Sequence, residues 1–252
     1  MSTNNGFTEN ADLYRTSLAH SETPDLESCL ESLPPIPGLS VLDIGTGSGH
    51  SAFFFAKKQA HTFAVDINDE MLRVAQEESD KLTLSIRFLK CPAEDLMFDD
   101  QAFDLVTCRL AAHHFENLEG FLQEAHRVLR PNGTLLLIDN VVPEEPQAAD
   151  WLNQYEAERD PTHQRCLTAQ EWNSLIQSHG FEVQKTEPFK KRLLFQAWME
   201  RMGHSVQAQE TFWQRLNQAP ESAKRFWSPK GDSLETRTVR LQQQIVIAAR
   251  QH

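Results

Sequence analysis

Short apolar, β-prone runs alternate along this chain with stretches in which apolar residues recur every third or fourth position, the pattern of strands alternating with amphipathic helices. Val41 to Ile44, His61 to Asp66, Thr83 to Lys90, Ala102 to Arg109 and Thr134 to Val142 read as strands. The near-continuous Leu135 to Ile138 suits a central strand covered on both faces. Between them, Ser51 to Gln59, a segment opening at Asn68 to Glu70, and the stripe Phe115, Leu118, Phe121, Leu122, Ala125, Val128 and Leu129 read as helices, with His113 and His114 beginning the last. Arg130 to Gly133 reads as the turn that ends it.

Ahead of the first strand, Tyr14 to Leu33 has a helical pattern broken by Pro24 and closed by Pro34, Pro35 and Pro37. Residues before about Leu13 are expected to be disordered or lightly anchored. Beyond the fifth strand come helices at Ala148 to Glu158 and Thr168 to His179, with Thr168 as N-cap and Gly180 as the stop. A sixth strand follows at Phe181 to Glu187, then short helices at Leu193 to Met202, Gln207 to Leu216 and Glu221 to Trp227, and a last strand at Thr238 to Ala249.

The first strand runs straight into Gly45-Thr46-Gly47-Ser48-Gly49-His50. Glycines at every second position give a tight turn with positive φ and main chain that a ligand approaches with no Cβ in the way. The helix that follows leaves unpaired N–H groups facing the same ligand. A dinucleotide-binding turn wants its third glycine one position later, where His50 stands. Asp43 adds a carboxylate just before the turn, which repels a pyrophosphate and suits an ammonium or sulfonium. S-adenosylmethionine (SAM) carries both charges, and Val41 to Gly49 resembles motif I of the class I SAM-dependent methyltransferases.

Further along, Asp66 ends the second strand beside the glycine turn, where its two oxygens can accept both hydroxyls of a ribose. The competing use is an N-cap network with Asn68, Asp69 and Glu70. Cys91 to Phe98 resembles the family's Asp-Ala-Glu-x-Leu-Pro-Phe segment at Ala93, Glu94, Leu96 and Phe98, with Pro92 replacing a polar residue. Phe103-Asp104-Leu105-Val106 resembles motif IV, and Leu129 to Leu135 the family's Leu-x-Pro-x-Gly-x-Leu turn. The resemblance spans Leu42 to Val142 and extends loosely to Val183, and is strongest to the ubiquinone and menaquinone biosynthesis C-methyltransferases.

That resemblance implies an α/β fold: a Rossmann-like, seven-stranded, mostly parallel sheet with helices on both faces, the last strand antiparallel beside the fifth, and a helical insertion before it. Residues 1–37 would form an N-terminal helical cap, 38–188 with 236–252 the SAM-binding core, and 189–235 the substrate-side insertion. SAM would be held by Tyr14, which with His20 resembles a segment folding over the cofactor, and by Asp43, Gly45, Thr46, Gly47, Ser48 and Gly49. Asp66 and Ile67, the backbone of Ala93 and Glu94, and the main chain of Cys108 and Arg109 complete the expected set.

The carboxyl end of the fourth strand, with Arg109, His113 and His114, is a second place for chemistry. Asp139 and Asn140 end the fifth strand facing the same cleft, and the polar loop Asp160-Pro161-Thr162-His163-Gln164-Arg165 is either a substrate lid or a capped surface loop. Methyl transfer from a sulfonium needs no acid for its leaving thioether, so a base matters only where the nucleophile must lose a proton. His113, His114, His163 and Asp139 are the candidates.

Composition narrows the partners. A formal net charge of −12 argues against a duplex nucleic acid, although the last third is relatively basic. No Asn-Pro-Pro-Tyr tetrapeptide follows the fourth strand, where Arg109-Leu110-Ala111-Ala112 stands instead, so nothing supports an RNA or protein substrate. The four cysteines form no Cys-x-x-Cys pair, so neither a metal site nor a disulfide framework is indicated. No secretory signal and no integral membrane segment is visible, and the cytoplasm fits best. The expected activity is methyl transfer from SAM to a small aromatic or lipophilic metabolite, with a homodimer open. A SAM-binding regulator or assembly protein without turnover, and an NAD-dependent oxidoreductase, are the alternatives.

Overall fold

In a computed structural model of the protein, which describes residues 22–251, the apolar runs lie side by side in one sheet. In chain order the elements are α1 (Pro24–Cys29), β1 (Ser40–Ile44), α2 (His50–Lys57), β2 (His61–Asp66), α3 (Asp69–Lys81), β3 (Ile86–Lys90), β4 (Phe103–Arg109), α4 (Leu118–Val128), β5 (Leu129–Asn140), α5 (Pro146–Arg159), α6 (Ala169–Ser178), β6 (Phe181–Leu194), α7 (Phe195–Glu200), α8 (Val206–Asn217), α9 (Glu221–Trp227) and β7 (Thr238–Arg250). The seven strands are ordered β3-β2-β1-β4-β5-β7-β6. β1 to β5 are parallel, and β7 runs antiparallel to both β5 and β6. This is the Rossmann-like sheet expected, with its last strand antiparallel beside the fifth.

Strand alternation assigns the faces. Leu135 and Leu137 of β5 join Phe121 and Leu122 of α4 and Trp172 and Ile176 of α6. Leu136 and Ile138 join Leu26 and Cys29 of α1 and Phe54 and Phe55 of α2. Each such leucine, removed from water, stabilises the fold by roughly 1.5–3 kcal/mol, and coverage on both faces is why β5 shows no polar alternation.

Several boundaries differ from the sequence expectation. Pro24 stands in the first turn of α1, where a proline has no N–H to lose and brings a helical φ. The earlier part of that expected helix, with Tyr14 and His20, lies outside the described residues. β3 starts at Ile86, because Thr83 turns to φ 55 where α3 closes. His113 and His114 belong to a short 3-10 turn, Ala112–His114, and α4 begins only at Leu118, where the Asn117 side chain accepts the Gly120 N–H. Leu129 pairs with Phe103 in β5, and Arg130 to Gly133 bulge out before pairing resumes at Thr134 with Leu105.

The difference that matters for function is β6, which continues past Glu187 to Leu194. Pro188 is tolerated there because β6 is the edge strand. The β5–β7 pairing ends at Asn140 with Gln243, whereas β6 and β7 stay paired through Lys191 with Leu241 and Leu193 with Val239. A two-stranded ribbon therefore projects past the end of β5. Against it, α5 and α7 to α9 bury Tyr155, Phe195, Trp198, Met199, Trp213 and Trp227 in a second apolar cluster.

Candidate active site

At the carboxyl ends of β1, β2, β4 and β5 the chain encloses a cavity of about 520 Å³. Gly45 (φ 68) and Gly47 (φ 52) hold the turn after β1 in the left-handed region. A Cβ on Gly45 would meet that of Ala111 at 2.6 Å, whereas one on Gly47 would meet nothing within 4 Å, so bare main chain faces the open cavity there. Thr46 and Ser48 also line it. Gly49 does not: it N-caps α2 and packs on Phe53.

Asp43 lies beneath the turn instead of facing a ligand. It is 1% exposed, absent from the cavity wall, and accepts the Thr46 hydroxyl at 2.6 Å. Burial pushes its carboxyl up to about 7, against the opposing Thr46 hydrogen bond and Arg109 charge. The direct contact expected with a cationic ligand is thus replaced by support of the glycine turn.

Asp66 does line the cavity. Its Oδ2 accepts the Gly47 N–H at 2.8 Å and its Oδ1 the Asn68 N–H at 2.9 Å. The N-cap of α3 is Asn68, whose Oδ1 takes Glu70 N–H and Met71 N–H. The Ile67 N–H also acts on this carboxylate, and the lone pairs that remain can still accept from a ligand. Burial raises its carboxyl pKa, and the Asn68 and Gly47 N–H groups oppose that. Beside it, Ile67 is 51% exposed, an apolar face without protein cover, and Ala93 and Glu94 close this end.

Where β4 ends, Cys108 is fully buried and off the wall, while Arg109 is on it. The Arg109 guanidinium is gripped by Asp25 of α1, through Nε at 2.6 Å and a terminal nitrogen at 3.1 Å. Asp25 carries no sequence signal, because a first-turn acid before the first strand says nothing of a partner on the fourth. Leu110 then adopts φ 55, its N–H held by Ile138 O at 2.8 Å. This strained step leads the chain into the 3-10 turn.

Inside that turn, His113 Nδ1 lies 2.5 Å from Asp139 Oδ1, and its own N–H donates to Asp139 Oδ2 at 2.8 Å. A carboxylate only accepts, so Nδ1 carries the proton and Nε2 is the basic nitrogen. Burial pulls the ring's pKa down, but the Asp139 charge and hydrogen bond outweigh it, and the net shift is upward. Asp139 is 1% exposed and stands behind His113, so Asn140, not Asp139, faces the cavity.

His114 also lines the cavity, with Nδ1 3.1 Å from Thr162 Oγ1. That hydroxyl gives its hydrogen to Asp160 Oδ1 at 2.6 Å, so His114 donates to it. Burial and the His113 charge bring His114 down to about 4. The loop carrying Thr162 is tied to the turn by Gln164 N–H and Arg165 N–H, both donated to His113 O. Asp160, Pro161, Thr162 and Gln164 form wall, but His163 turns away. Its Nε2 meets Asn153 Oδ1 at 3.0 Å, and burial with the His113 and His114 charges brings it to about 2. His163 is thus part of the packing.

The far end of the cavity comes largely from the segment 189–235, expected on the substrate side, together with Arg159, Leu241 and Gln243, which sequence reasoning did not single out. Gln243, Leu193, Leu241 and Trp198 line it, with Arg159, Lys191 and Arg201. They come from the projecting ribbon and the α5 and α7 regions, which only the tertiary structure brings to the sheet edge.

A methyltransferase domain model matches residues 42–137. The uncharacterized methyltransferase YcgJ of Bacillus subtilis is 32% identical over 219 residues, 86% of this chain and 87% of that protein. The chain belongs to the class I SAM-dependent methyltransferases. The crystal structure of B. subtilis YcgJ superposes on this methyltransferase with a TM-score of 0.85 at 27% identity, covering 92% of this chain and all of that one. A ubiquinone/menaquinone biosynthesis C-methyltransferase UbiE of Brucella anthropi is 30% identical over 172 residues, 66% of this chain and 64% of that protein. Family membership sets aside the oxidoreductase alternative and agrees with the expected motifs.

Proposed function

We propose that this methyltransferase binds SAM across the glycine turn and Asp66, and moves its methyl group to a small acceptor seated between His113 and the β6–β7 ribbon. The observation that carries the reading is one shared cavity lined by Gly45, Gly47, Asp66 and Glu94 at one end and by His113 at the other. The residues fit the cofactor: Gly47 leaves open space where a side chain would stand, Asp66 keeps lone pairs for hydroxyls, and Ile67 offers an uncovered apolar face. When bound, SAM supplies a methyl on a sulfonium that departs as a neutral thioether.

In this reading His113, on the cavity wall, uses its basic Nε2 to take the proton that a hydroxyl, or an activated carbon, releases as its electron pair bonds to the methyl carbon. Asp139 holds the ring in the required tautomer and stabilises the imidazolium that forms. Positioning of acceptor and methyl in line contributes most, with effects of roughly 7–11 kcal/mol in well-oriented systems. Leu193, Trp198 and Leu241 suit an acceptor with an aromatic or lipophilic body.

Isothermal titration with SAM, followed by a radiolabelled methyl-transfer screen over phenols, quinols and aromatic acids, tests the proposal. Micromolar SAM binding with product from at least one such acceptor is expected. Binding without transfer to any of them would point to a regulator, and no binding would end the reading.

A further inference from the structure

The pairing of β5 with β7 ends on two amide side chains, Asn140 and Gln243, which stand opposite each other as the last rung of that ladder. Both line the cavity. Gln243 shares its face of β7 with Leu241, two residues away and also on the wall. The glutamine is 3% exposed, and its Nε2 donates to Asn140 Oδ1 at 3.5 Å, the long limit of a hydrogen bond. Its Oε1 is buried and meets no hydrogen-bond partner among the described residues. Of the described residues with such a buried, unpartnered side-chain polar atom, Gln243 alone lines the cavity. A buried amide oxygen without a donor is costly, so this one is matched to a donor that arrives with a ligand.

Two facing amides hold two carbonyl oxygens and two NH2 groups. The contact between them pairs the Asn140 oxygen with the Gln243 NH2 group, which leaves the Gln243 oxygen as an acceptor and the Asn140 NH2 group as a donor. A neutral group that donates and accepts at once, a hydroxyl or a carboxamide, meets both. The rung also lies beside the proposed base, because the Asn140 N–H donates to Asp139 Oδ1, the oxygen that faces His113 Nδ1. From this juxtaposition we infer that Gln243, with Asn140, sets the specificity of the acceptor site: its Oε1 accepts a hydrogen bond from a second polar group of the acceptor, next to the group that His113 deprotonates. The inference rests on the methyltransferase reading of the cavity and adds to it the residues that select the acceptor. A ligand that displaces water from such a pair without reproducing its hydrogen bonds loses affinity. Methylating the second polar group of the ligand therefore weakens binding.

Calorimetry on protein saturated with S-adenosylhomocysteine tests this. Catechol, resorcinol and salicylamide are titrated beside the monomethyl ethers of the two diols and N,N-dimethylsalicylamide, which keep the ring and one phenol and lose the second donor. At least one of the first three is expected to bind on the order of tenfold more tightly than its methylated counterpart, and which one does so tells a hydroxyl from a carboxamide. Gln243→Met, of similar length and without the amide, should bring the two members of that pair to equal affinity. Its calorimetric affinity for S-adenosylhomocysteine should match that of the parent protein, which also shows it folded. The inference is overturned if no ligand outbinds its methylated counterpart, or if Gln243→Met keeps the preference. A variant that weakens both members of the pair alike keeps it too, and would make Gln243 a structural residue only. Absence of S-adenosylhomocysteine binding by the parent protein would be a separate failure, that of the methyltransferase reading itself.

Discussion

His113 and Asp66 face one cavity, but their neighbours fit them for opposite work. Asp66 meets only N–H donors and stays an acceptor. Asp66→Ala should raise the calorimetric dissociation constant for SAM by about 10- to 100-fold, the weight of hydrogen bonds to a charged group, and an unchanged constant would remove Asp66 from the cofactor site. His113 meets a carboxylate, which raises its pKa and, in the function proposed, suits it to act as a base. Its Nε2 must be unprotonated to work, so the transfer rate should fall as pH drops through a value above the ordinary 6.5. His113→Gln should lower the rate constant by roughly 10²–10⁴ with SAM affinity kept. Asp139→Asn should move the acid limb to lower pH, since the charge that raises the ring is gone. The sequence made Asp66 legible, because one β-α-β unit fixes its distance from the glycine turn. It could not rank His113, His114 and His163, because the ranking depends on which ring meets Asp139, which meets Thr162 and which meets Asn153.

Two elements that close over the sheet edge are held by buried polar contacts, and each has a measurable signature. Arg109 ties β4 to α1 through Asp25, both side chains 3% exposed. Asp25→Ala leaves a buried guanidinium without that carboxylate and should cost about 3–5 kcal/mol in urea unfolding, a loss that Asp25→Ala with Arg109→Leu should largely recover. The loop after α5 is held by His163, whose folded pKa of about 2 lies far below its unfolded 6.5. The unfolded chain takes up the proton first, so this contribution to stability is complete above pH ~6.5 and is lost as pH falls toward ~2. His163→Gln should therefore lose less melting temperature than the parent between pH 7 and pH 5, whatever its own starting value. Among the elements, β2 was readable end to end from its apolar run, whereas β6 was cut short at Glu187. The charged Lys190 to Arg192 lie beyond that expected end, yet on an edge ribbon such residues point outward or into the cavity without breaking the ladder.

For the molecule as a whole, a ligand that binds only the folded state raises stability by mass action. S-adenosylhomocysteine at about a hundred times its dissociation constant should add ~2.7 kcal/mol, or about 5 °C or more in melting temperature, while NADH should leave it unchanged; a reversed response would contradict the cofactor assignment. The sequence by itself determined the order of strands and helices, the parallel core and the glycine-turn end of the cavity, since these follow from local apolar period, glycine conformations and spacing within single β-α-β units. Tertiary structure alone decided that Asp43 supports the turn from below, that His113 is the ring backed by Asp139, and that Arg159 and Gln243 reach the same cavity. Those outcomes depend on burial and on contacts between segments far apart in the chain, which no local pattern of residues encodes.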